Sequence, residues 1–198
     1  MGGSPAFDFK QEIAPAFDVL QHLPRYGFNE GRAINVHRQY VQEGVHAKSG
    51  GGQRRERLTL QNYVSIFVGT IIDAPINRVV THVNNYCASR DENGNRLDET
   101  IGRVLHDFAR GADDFKNKRA TRAILAASGA INSRFEFDTG FPRVDWVFEA
   151  KNGDTTAKTF GPVADRPSSM IGVRNVSVLS GSLVYRLANG LFHNVWDY

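Results

Sequence analysis

One cysteine, Cys87, stands in the whole 198-residue chain. No intramolecular disulfide can form, and no cysteine-based zinc site is possible. Long hydrophobic runs are missing too. No stretch approaches the roughly 18 apolar residues that a membrane-spanning helix needs, so no membrane partner is expected. Charge of one sign is scarce: 24 Lys and Arg stand against 21 Asp and Glu, a net charge of +3. That argues against a protein dedicated to wrapping nucleic acid, which carries a strong basic excess. The opening residues Met1 to Lys10 lack a basic start followed by an apolar stretch. No secretory leader is expected, and a reducing cytoplasm is the expected place of synthesis.

Catalytic signatures are equally thin. His22, His37, His46, His82, His106 and His193 are scattered, with no spacing that suits a metal on one helix. No Gly-x-Ser-x-Gly nucleophile elbow occurs. Gly50-Gly51-Gly52-Gln53-Arg54-Arg55 lacks the Gly-Lys-Ser/Thr ending of a phosphate loop. Cys87 reads as a small apolar filler rather than a reactive thiol. No cofactor is expected.

What is present fits a folded protein: 41% hydrophobic residues and 23% charged. Residues 1–57 read as an extended arm carrying a Gly-rich basic loop. Phe7, Phe9, Ile13, Phe17, Val19 and Leu20 are its apolar anchors, interrupted by Pro15, Pro24 and Gly27. Residues 58–198 read as one α+β domain, with a strand and helices over 58–130 and antiparallel strands over 131–198. Alternation of Leu58, Leu60, Val64, Ile66, Val68 and Ile72 with polar residues predicts a half-buried strand over 57–72. A helix through Leu60, Val64, Phe67 and Ile71 is the competing reading.

Asp73-Ala74-Pro75 predicts a helix start, with Ile76, Val79, Val80, Val83 and Tyr86 inward. After a turn at Asp91-Glu92-Asn93-Gly94, Asp98 can cap a second helix facing inward through Ile101, Val104, Leu105, Phe108, Ala112 and Phe115. A third helical stretch, 119–127, stops at Ser128-Gly129. From Ser133 the period changes to two. Asn152-Gly153 is a strong hairpin signal between 145–151 and 155–160. Val173, Val176 and Val178 suggest another strand, and the segments 183–187 and 191–196 suggest two more. The expected class is α+β: two or three helices packed on a mostly antiparallel sheet, with an extended N-terminal arm.

Two constellations carry candidate chemistry. Asp138, followed by ten residues and then Glu149-Ala150-Lys151, resembles the pattern of the PD-(D/E)xK nuclease family. The resemblance implies two carboxylates on adjacent strands holding a divalent metal, with the lysine orienting or activating the attacking water. The same residues also suit the solvated face of a strand. The second constellation is basic: Lys48, Arg54, Arg55 and Arg57, with Lys116, Lys118, Arg119 and Arg122 as a further group. Such groups can neutralise phosphates or meet the acidic surface of a neighbour. The chain ends on Phe192, Trp196 and Tyr198, an aromatic end that is costly to leave in water.

The leading expectation is a structural assembly protein, a virus or phage virion component of the capsid, neck or tail. It would self-associate through Phe7, Phe9 and Phe17 of the arm, through Arg54, Arg55 and Arg57, and through Phe192, Trp196 and Tyr198. Homo-oligomers and other particle proteins are the expected partners, with possible contact to nucleic acid. It would be cytoplasmic on synthesis and part of the virion when assembled. A metal-dependent nuclease using Asp138, Glu149 and Lys151 is the first alternative, and a nucleic-acid-binding regulator the second.

Overall fold

A computed structural model describes residues 7–46, 57–116, 132–139, 141–149, 152–161 and 175–192. In chain order these hold β1 (Glu12–Pro15), α1 (Ala16–His22), α2 (Glu30–Gln42), β2 (Arg57–Thr59), α3 (Leu60–Ile71), α4 (Val79–Ala88) and α5 (Leu97–Lys116). Then follow β3 (Ser133–Asp138), β4 (Val144–Glu149), β5 (Thr155–Phe160), β6 (Val176–Ser180) and α6 (Gly181–Phe192). Short 3-10 turns at Leu23–Tyr26 and Ile76–Arg78 lead into longer elements.

The expected α+β class is what the chain adopts. Strands β5-β4-β3-β6, in that spatial order, form an antiparallel sheet, and β1 pairs with β2 in a second, two-stranded one. Phe135, Phe137, Val144, Phe160 and Leu179 lie on one face of the larger sheet and join the core made by the helices. The other face carries Arg134, Glu136, Arg143 and Asp145, bonded along their own strands. This is the half-buried, half-polar division that antiparallel strands allow. Gly153 turns the β4–β5 hairpin at φ +85°, where the sequence places Asn152-Gly153.

Three segments differ from the sequence reading. The stretch expected as a strand over 57–72 pairs only through Arg57–Thr59 and then becomes α3. Leu60, Tyr63, Val64, Ile66, Phe67, Val68 and Gly69 are all buried, because α2, α4 and α5 pack around α3. A helix apolar on most sides fills enough positions of one parity to mimic a period of two, while Tyr63, Phe67 and Ile71 fill the other. Its start is chemically marked. Thr59 Oγ1 accepts from the Asn62 amide at 3.2 Å, while Asn62 Oδ1 accepts from the Thr59 amide at 3.0 Å. That reciprocal cap outweighs the strand preference of Val and Ile.

The strands expected over 183–187 and 191–196 are also absent as far as residue 192: this part is α6, with Val184, Leu187, Ala188 and Leu191 facing inward at helical spacing. Residues 193–198 lie outside the described residues. The segment read as an extended arm is extended only in part. Between residues 16 and 42 it forms α1 and α2, whose Val19, Ala33, Val36 and Tyr40 are core residues. Asn29 caps α2 by accepting from the Arg32 amide at 2.8 Å. The helices expected near 75–86 and 98–115 are present as α4 and α5, and Asp98 sits just inside α5, accepting from the Glu99 amide at 2.8 Å. The third helical stretch, 119–127, lies outside the described residues.

Candidate functional site

Asp138 and Glu149 do not meet. The register of β3 on β4 pairs Phe137 with Val144 and Ser133 with Phe148. Asp138 therefore lies at the turn end of the hairpin, where its amide donates to the Arg143 carbonyl at 3.0 Å. Glu149 lies at the opposite end, its amide donating to Asn132 O at 3.3 Å. Six residues of strand separate the two positions, about 20 Å at strand rise. One divalent ion cannot span that distance. Asp138 is also buried, and its carbonyl accepts from the hydroxyl of Tyr86 on α4. Lys151 lies outside the described residues. Among the described residues no three His, Cys, Asp or Glu side chains gather to hold a metal.

The buried His22 and His46 each pair with a neighbouring ring, His46 with the half-buried His37. His22 Nε2 lies 3.2 Å from the Tyr26 hydroxyl, at the junction of α1 with the following turn. His37 Nδ1 lies 3.1 Å from His46 Nδ1, and the His46 ring stacks on Tyr40 with centroids 4.6 Å apart. Burial pushes His22 down to about 4, with help from Arg25, and pushes His46 down to about 4, with help from His37. His37 is lowered as well, by burial. Rings kept neutral and enclosed in this way hold helices in place rather than deliver protons at neutral pH. Cys87 is buried and free, and burial raises its thiol far above the range in which thiolates react.

The aromatic residues of the N-terminal segment have definite seats. The Phe9 ring fills a notch over Gly102 of α5, where a Cβ would stand 2.8 Å from the ring. The Phe9 carbonyl accepts from the Gln61 amide and the Gln11 carbonyl from the Leu60 amide, both at 3.0 Å. Phe7 lies beside Phe9, with the Arg103 guanidinium 5.3 Å from its ring centre. His106 then links the two ends of the chain: Phe7 meets its ring edge-on at 5.7 Å, and Phe192 meets it at 6.2 Å.

Arg57 is engaged in the same region. Its Nη2 donates to Ile13 O at 3.0 Å and its Nε lies 3.5 Å from Glu12, so this cation fastens β1 to β2. Phe17 stands apart on α1, 65% exposed. Arg54, Arg55, Trp196 and Tyr198 lie outside the described residues. The structure thus brings Phe7, Phe9 and Phe192 together on α5, which the sequence did not indicate. Gly102 within an otherwise regular amphipathic pattern is the one signal that could have marked the notch.

A cleft of about 240 Å³ opens between α5, the loop before it and the sheet. Asp91, Glu99 and Asp107 face Arg103, Lys158 and Trp146 there. The mixed charges give no field of one sign, and the Lys158 ammonium lies 5.9 Å from the Trp146 ring centre. Asp91 is spent on its own loop, accepting from the amides of Asn93 and Asn95 at 2.9 and 2.8 Å. Comparison with protein families, with characterised proteins and with solved structures finds no match to this chain.

Proposed function

We propose that this chain is a structural building block that associates with copies of itself, and specifically a component of a virus or phage particle such as its capsid, neck or tail. In this reading it is made in the cytoplasm and ends in the virion, alongside other particle proteins. The observation that carries the reading is the seat of the N-terminal segment. A ring in a glycine notch, two backbone hydrogen bonds and one short strand pair join it to the body. The same contacts can be made by the segment of a neighbouring copy, and exchange of an identical element is a low-cost route to assembly. The exposed Phe17 at the start of α1 offers a further apolar contact in such an exchange.

Light scattering with negative-stain microscopy tests the reading. Rings, tubes or shells are expected, and Phe9→Ala should shift them toward smaller species while circular dichroism keeps the helical signal. A protein that stays monomeric up to high concentration overturns the proposal.

A further inference from the structure

We infer that β5 is a self-complementary edge through which two copies of this chain join their four-stranded sheets across a two-fold axis. The inference rests on the self-association reading but names a different surface from the N-terminal segment. β5 is a terminal strand of the sheet, and among the described residues no strand lies outside it. An edge strand presents a row of backbone donors and acceptors to any strand that reaches it, and natural edges are usually blunted by proline, bulges or charges, lysine above all; a lone lysine such as Lys158 does not repel a strand that sets an acid opposite it. Here Asp154, just before β5, and Thr155, Thr156, Ala157 and Lys158 within it are all exposed, with no proline, and β5 pairs with β4 in unbroken register; the Asp154 carboxylate accepts from Asn152 Nδ2 at 2.6 Å through Oδ2, which leaves its other oxygen to face a partner. Beyond Lys158 the edge closes. The Gly161 amide donates to Arg90 O at 3.1 Å, while Thr159 Oγ1 is held on its β4 neighbour, donating to Asp145 Oδ1 at 2.6 Å.

The occupant follows from the order of residues in this open stretch. It has an acid at one end, a base at the other and Thr156 at its centre. Laid antiparallel on a second copy about Thr156, it opposes Asp154 to Lys158 twice, Thr155 to Ala157 twice, and Thr156 to itself. Opposite charges and paired threonines are favourable directly across antiparallel strands. Other registers are worse. An axis at Lys158 sets lysine against lysine. An axis at Ala157 sets Asp154 against Phe160 and uses Thr159, whose hydroxyl already serves Asp145. Parallel pairing sets each charge beside its own kind. The stretch is thus a better match for a second copy of itself in this one register than in any of these others.

Sedimentation equilibrium and mild oxidation of full-length variants test the edge. In an antiparallel pair, opposed Cα atoms stand about 4.5–5.5 Å apart, within disulfide range. Thr156→Cys should therefore form a covalent dimer, whereas Val45→Cys, also exposed but elsewhere, should not. Cys87 is buried and cannot take part. Lys158→Glu should weaken self-association by about tenfold, since two attractive pairs become repulsive, and the double variant D154K/K158E should restore it to within about threefold. If the protein assembles but Thr156→Cys does not cross-link and Lys158→Glu changes nothing, the β5 inference fails while the self-association reading stands. If the protein is monomeric at every concentration, both fail.

Discussion

Gly190 is the position where a single methyl group should do the most damage. It lies in α6, where alanine ordinarily stabilises a helix by about 1 kcal/mol relative to glycine. Here a Cβ would stand 2.6 Å from His22 Cε1 and 2.8 Å from the Tyr26 hydroxyl, and closer still to His22 Nε2. The ring cannot retreat easily, because His22 is 2% exposed and its Nε2 is hydrogen-bonded to Tyr26 at 3.2 Å. Overpacking of this kind costs about 1–3 kcal/mol. Breaking the buried hydrogen bond adds about 1 kcal/mol, and the helix gain offsets a similar amount. Gly190→Ala should therefore destabilise the fold by about 1–3 kcal/mol, which for a chain of this size lowers the melting temperature by about 3–9 °C. Urea unfolding followed by circular dichroism measures the same quantity. The decisive control is a double-mutant cycle with His22→Ala, which removes the two nearest atoms and frees the Tyr26 hydroxyl, the third, to move aside. In that background Gly190→Ala should cost nothing or stabilise slightly, a coupling of about 1–3 kcal/mol. A neutral Gly190→Ala, or an equal cost in both backgrounds, refutes the claim that this glycine exists for close approach of α1.

Three further outcomes are expected. Arg32 donates to the carbonyls of Gly69, Ile72 and Ala74 at 2.9, 2.6 and 3.0 Å, closing the C-terminal end of α3. Arg32→Ala should cost about 2–3 kcal/mol in urea unfolding, and Arg32→Lys should recover little, because a single ammonium cannot reproduce the planar fork. The Tyr63 hydroxyl is buried with no hydrogen-bond partner among the described residues. Tyr63→Phe should be neutral or stabilise by up to about 1 kcal/mol, and a loss of more than that would show that the hydroxyl has a partner. Acid should act through His22 and His46, both held at about 4 in the folded chain against 6.5 unfolded. Below pH 6.5 the unfolded chain binds more protons, so stability is intact above that value and falls as pH drops toward 4. The slope contributed by each ring is at most about 1.4 kcal/mol per pH unit. Unfolding free energies measured from pH 7 to 4 should show this decline, and His22→Gln with His46→Gln should flatten it. An unchanged slope in that double variant would exclude the two rings as its source.

The elements legible in the sequence are those whose signals are local. Asn152-Gly153 fixes a hairpin by its turn chemistry, and the alternation of Phe135 and Phe137 with charged residues matches a sheet with one wet face. The inner face of α5 was readable because its other side is polar, so Ile101, Val104, Leu105 and Phe108 stand out at helical spacing. α3 hides its period because neighbours surround it, and a helix so placed loses the polar stripe that reveals it. α6 keeps the exposed Ser182 and Arg186 opposite its buried face, but Asn189-Gly190 interrupts the pattern with a turn signal. Glycine there looks like a turn, but in the fold it is a gap through which two helices touch.

The Asp138–Glu149 pattern misled for the opposite reason, since its residues are on adjacent strands as the resemblance requires, yet at the wrong ends. A ten-residue spacing says nothing about where the turn falls. Here the chain reverses directly after Asp138, and the cross-strand neighbour of that carboxylate becomes the Arg143 region rather than Glu149. Moving the same turn to midway between the two carboxylates would have placed them side by side. The interaction surfaces obey the same logic. Phe7, Phe9 and Phe192 are apolar anchors far apart in the sequence, but α5 gathers all three around His106 and Gly102. The β5 edge, with nothing but threonine, alanine and one charge at each end, carries no apolar signal at all. Its significance comes only from its place as the last strand of the sheet, which is a property of topology and not of composition.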